Sequence, residues 1–181
     1  MQRSIKRRTI STPGQDTIPS FQDLDGNILT GVALMNLGIA RKILGDMDEA
    51  ISQFQRARSH FEEEGDLARL AEVHHLMGMT FLGKHLSPEA MNEFEQCSSL
   101  SLAGSDQTRL GLAFLGKAHV FYERGDLETA LSLADRCLNQ LSGWYDRMYL
   151  ADVYKLKIMI YKGRAKRRRF IKREALTRTT I

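Results

Sequence analysis

Two cysteines, five histidines and a dense run of cations carry the reactive and ligating side chains of this 181-residue chain. Cys97 and Cys137 stand 40 residues apart, in step with Ala57, so both are expected as small buried core residues. Equivalent sites in stacked helix pairs lie roughly 10 Å or more apart. A disulfide tolerates at most about 7 Å between Cα atoms, so none is expected. His74 and His75 are adjacent and point in different directions on a helix, which is poor geometry for a shared metal. His74 falls in the phase of Leu34 and Phe114 and should face the core, whereas His75 and His119 fall on another face. No HExxH, CxxC or Cys/His cluster occurs, and the phosphate-loop, dinucleotide and nucleophile-elbow glycine patterns are missing. Glu62-Glu63-Glu64 reads as a solvated helix face. The expectation is no metal, no cofactor and no catalytic residue.

The charges are segregated. Residues 1–20 hold Arg3, Lys6, Arg7 and Arg8 against Asp16, and residues 162–181 hold nine Lys or Arg against Glu174. The middle, 21–161, is net −7, so the overall +4 comes from the two ends. The tail run Lys166, Arg167, Arg168, Arg169, Lys172 and Arg173 suits a phosphate backbone, an anionic lipid surface or an address signal. Phe170 is the one aromatic within it, so base stacking is not supported. A solvated tail folded back on the acidic middle is the plainer alternative. No run of about 18 apolar residues offers a membrane span. The basic start has no apolar stretch of the secretory kind, and a cytoplasmic address is expected.

The elements that must position these residues repeat. Asp66, Asp106 and Asp146 are spaced by 40, as are Leu70, Leu110 and Leu150, and Val73, Ala113 and Val153. Gly38 and Gly78 share the phase, as do Ala50, Ala90 and Ala130, and Phe54, Phe94 and Ala134. Within a unit, Ala50, Ile51, Phe54, Ala57 and Phe61 mark one apolar face of a helix. Ala90, Met91, Phe94 and Cys97 repeat it, as do Ala130, Leu131, Ala134, Cys137 and Leu141. Asp46 with Glu49 offers a capping box, and Ser87-Pro88 an N-cap followed by proline at the first helical position. The Asp66 series sits where each next first helix needs a cap. One helix pair cannot bury its faces alone, so the units must stack.

Leu34, Leu37-Gly38, Gly45, Ala50, Phe54 and Ala57 resemble the tetratricopeptide signature in spacing, over roughly residues 24–161. The 40-residue period resembles the longer-helix variants of kinesin light chains and bacterial peptide-sensing regulators. The resemblance implies an all-α solenoid, a right-handed superhelix of antiparallel helix pairs with about three full repeats and one further helix. Ala118 replaces the first-helix glycine, Lys117 the leucine before it, and His85 the turn glycine. The expected organisation is a basic, disordered segment 1–22, a repeat domain 23–161, and a basic tail or irregular capping helix 162–181. In a fourth unit, Phe170 and Glu174 stand where a small residue and an aromatic belong.

By resemblance, first helices line a concave groove. Its candidate contact residues are Met35, Asn36, Ile39, Lys42, His75, Met79, Leu115, His119, Tyr122 and Lys155. The implied activity is a scaffold or adaptor that holds a peptide or helix of another protein. Self-packing of these residues against the tail or a second copy is the alternative. A nucleic-acid-associated regulator using the basic ends is a further reading, and so is a piece of a larger sensor whose effector domains lie elsewhere. The irregular fourth unit also predicts homo-oligomerisation through that end, or marginal stability.

Overall fold

The computed structural model describes the backbone of residues 21–141 and 147–178 and the side chains of residues 29–141 and 149–172. Among these residues there are seven helices: α1 (Phe21–Leu44), α2 (Met47–Glu64), α3 (Leu67–Gly83), α4 (Ser87–Ala103), α5 (Gln107–Glu123), α6 (Leu127–Gln140) and α7 (Arg147–Arg178). They pack in consecutive pairs, α1 on α2, α3 on α4, α5 on α6, with α7 lying against α6 and α5. This is the α-solenoid expected from the period.

Each pair closes through a large-to-small contact. A Cβ added at Gly38 would lie 2.6 Å from the Phe54 ring, and one at Gly78 would lie 2.6 Å from the Phe94 ring. Phe94 is gripped from a second side, because a Cβ at Gly116 of α5 would run into the same ring. In the third unit the aromatic has become Ala134 and the glycine has become Ala118, both fully buried in one core cluster. The replacement of glycine at 118 therefore follows from the shrinking of its partner, since close-packed interiors conserve local volume. Cys97 and Cys137 are fully buried, as expected of small core residues. Burial pushes the Cys97 thiol up to about 11.

The caps differ in part from expectation. The Asp66 and Asp106 carboxylates accept the N–H of Arg69 and Arg109 at 2.9 Å, and Asp126 accepts that of Thr129 at 3.1 Å. Asp46 makes no such bond; its carboxylate faces Arg41 at 3.4 Å instead. Ser87 is already helical, Leu86 holds the cap position, and the Ser87 hydroxyl donates to Glu123 at 3.3 Å. Proline still occupies the first turn, where a missing N–H costs nothing. The turns need left-handed backbone at Gly45 (φ 90°), Gly65 (φ 68°) and Gly125 (φ 78°). His85 (φ 58°) and Ser105 (φ 55°) adopt it with a side chain present. Asp146 lies outside the described residues.

The fourth unit does not turn. α7 runs for 32 residues, about 48 Å at the usual helical rise, straight through Ala165. That residue holds the register of Gly45, His85 and Gly125. The basic residues 162–178 thus continue a first helix. The segment 1–20, with its four cations, lies outside the described residues.

Candidate functional site

The first helices bring His75 and Met79 of α3, Leu115 and His119 of α5, and Lys155 and Met159 of α7 around one cavity of about 290 Å³. Leu112, Tyr149 and Asp152 complete its wall. A neighbouring cavity of about 260 Å³ shares His75, Leu112 and Tyr149 and adds Glu72, Leu76, Thr108 and Arg109. Of the ten expected groove residues, five therefore meet: His75, Met79, Leu115, His119 and Lys155. The α1 residues Met35, Asn36, Ile39 and Lys42 and the α5 residue Tyr122 line neither cavity. Met35 is buried in the first core cluster and Ile39 packs on it. Tyr122 packs on the third-unit core, and Asn36 is exposed. Lys42 is close enough for its charge to act on His75.

The electrostatics of the wall come from its shape. His75 Nδ1 is shut off from solvent without a hydrogen-bond partner among the described residues. Burial, with the Lys42 and Arg109 charges, pushes the imidazole down to about 4, so it is neutral at pH 7. Burial also lowers His119, with Lys155 adding to the effect and Asp152 and Glu123 opposing it. Lys42 is lowered by burial as well. Arg109 is held by Glu72 at 2.6 Å and by Asp106 at 2.7 Å, which fixes one polar edge of the cavity of about 260 Å³. The floor is apolar and includes Met79 and Met159, whose thioethers adapt to irregular ligands.

Two features escaped sequence reasoning. His74 is buried as expected, but its Nδ1 lies 2.6 Å from Glu93 of α4, itself buried. The register contained a signal. Positions 74 and 93 correspond to Phe114 and Leu133 in the third unit, so both partners are polar in one unit and apolar in another. Tyr149 was the second. It stands in the register of Arg69 and Arg109, each paired with its own capping aspartate, and here it walls both cavities.

The tail cations Lys166, Arg167, Arg168, Arg169 and Lys172 are exposed on α7. Arg173 lies in α7, its side chain outside the described residues. Among the described residues no group of three or more His, Cys, Asp or Glu is placed to hold a metal ion, and no helix is long and apolar enough to cross a membrane.

Residues 29–103 match the family model described as Tetratricopeptide repeat, which supports a tetratricopeptide-repeat relationship for this part of the chain. A crystal structure of BtubC (BKLC) from P. vanneervenii shares the fold with a TM-score of 0.65 at 16% sequence identity. The similarity covers 77% of this chain and 58% of that one, so this chain spans less than two thirds of that protein. No curated protein matches the sequence. Repeats of this family generally mediate contact between proteins.

Proposed function

We propose that the chain is a scaffold or adaptor that holds an apolar peptide segment of another protein in the concave cavities between α3, α5 and α7. The observation that supports it is the meeting of three consecutive first helices on one largely apolar cavity of about 290 Å³, beside a second cavity whose edge the Glu72–Arg109 pair fixes. Anchors from several helices give a segment the alternating pockets and polar fixings that specific binding needs. The test is affinity capture with the whole chain, followed by titration of the captured protein. Met79→Glu places a charge on the cavity floor and should weaken binding at least about tenfold, equivalent to 1.4 kcal/mol. Equal affinity for wild type and variant removes the cavity from the reading.

A further inference from the structure

The two long faces of α7 are used differently. Val153, Leu156 and Ile160 are fully buried in the third-unit core. Ala151, Tyr154, Ile158, Tyr161 and Ala165, spaced by three and four, lie exposed on another face. Tyr154 is 54%, Ile158 53% and Tyr161 50% exposed. The 40-residue register says what that face is. Position 154 corresponds to Leu34, His74 and Phe114, and position 158 to Gly38, Gly78 and Ala118, all buried. At those sites each unit packs its own second helix. α7 therefore presents a bare seat for a second helix. None of the described residues fills it, because α7 continues straight where the other units turn back.

The seat has a stated chemistry. Glycine or alanine at the 158 register receives phenylalanine or alanine of the second helix. Ile158 occupies that space, so an incoming helix needs a very small residue opposite it. One turn beyond the seat, Arg168 and Arg169 stand exposed on the same side of α7. Second helices run antiparallel to first helices here, so an incoming helix brings its N-terminal turn to these arginines. The chain's own second helices start with acids in that turn: Asp48 and Glu49, Glu89, and Glu128. Two of these, Asp48 and Glu128, pair with cations of the following unit: Lys84, just past the end of α3, and Arg164, at the equivalent register within α7. Carboxylates at a helix N-terminus are also favoured by the helix dipole.

We propose that the exposed Tyr154/Ile158/Tyr161 face of α7 is a docking site for an amphipathic helix of another protein, one with an acidic first turn and a glycine opposite Ile158, which completes the fourth repeat in trans.

The test uses the whole chain and two labelled peptides, each locked helical by a lactam on its outward face and checked by circular dichroism. One spans residues 126–141 with Ala134→Gly. The other spans residues 46–61 and keeps Phe54 at the same register. Fluorescence polarisation should show the glycine peptide binding at least about tenfold more tightly. Ile158→Gly should reverse the order by opening the hole that Phe54 fills, and Ile158→Ala, milder on α7, should narrow the gap. Arg168→Glu with Arg169→Glu should weaken both peptides severalfold, and Met79→Glu should leave both unchanged. The proposal is overturned if neither helical peptide binds, or if the order ignores residue 158. It is also overturned if a DNA duplex displaces the peptides whatever stands at 158, which makes the arginines a phosphate site. Concentration-dependent dimerisation abolished by Ile158→Asp, with peptides excluded, would assign the face to a second copy instead.

Discussion

His75 links the cavity to stability. Its imidazole is pushed down to about 4 in the folded chain, against an ordinary value of 6.5. Between those limits the unfolded chain binds a proton that the folded chain does not, so stability rises with pH and is lost as pH falls. The loss should begin near pH 6.5 and approach completion near pH 4, on the order of 2–3 kcal/mol. His119, also lowered, adds a slope of the same sign. Urea unfolding midpoints between pH 7.5 and 5 should therefore fall, and His75→Leu should flatten the curve; an unchanged slope in the variant would show that His75 is not its source. His75 was legible in the sequence as a residue off the core face. Its lowered pKa was not, because it depends on burial between helices and on the Lys42 and Arg109 charges brought up by two other helices.

At the scale of the element, the pairing of Ala118 with Ala134 makes a prediction about volume. Ala134→Phe alone should destabilise the third unit by about 1–3 kcal/mol, the range for overpacking a filled core. Adding Ala118→Gly recreates the arrangement of Gly38 with Phe54 and should recover at least about 1 kcal/mol, since contacting sites couple by roughly that much. A double-mutant cycle by chemical denaturation measures it, and strict additivity would contradict the packing described. The helices and their boundaries were largely legible because period, aspartate caps and turn glycines agree. What failed was local. Ser87 resembles a cap by type, yet its hydroxyl turns to Glu123 across the unit boundary. The end of the array was half legible: the loss of pattern after Tyr161 is visible in the residues, whereas a straight helix there depends on the absence of any turn residue at 165. Of the groove, the residues of α3, α5 and α7 were placed together and those of α1 were not. Met35 shares the register of His75 and Leu115, but that register cannot show that α1 buries Met35 in its own core cluster.

For the whole molecule, the burial pattern predicts a gradient of local stability. Core residues run continuously from α2 to α6, while past Ile160 α7 has no fully buried side chain among the described residues. Amide hydrogen exchange should be slowest in α3 to α5 and fastest in α7 beyond Ala165, where opening needs little apolar exposure. Protection in residues 166–172 equal to that of α5 would refute this and imply a covering partner. A cavity on the slow-exchanging side and a bare seat near the fast one are two surfaces with different demands. The first is pre-shaped. The second shares its helix with the most labile segment.

The grip on Phe94 has a mechanical meaning. A solenoid bends and twists like a spring, and each unit boundary is a joint. At the boundary between the second and third units one ring is wedged between Gly78 and Gly116, so sliding α5 over α3 must drive backbone into an aromatic edge. The pitch there is set by hard contact. The cavities that share His75 and Leu112 straddle this stiff joint. On the proposed reading, a ligand bound there would meet a spacing already fixed and lose little of its binding free energy to straightening the coil.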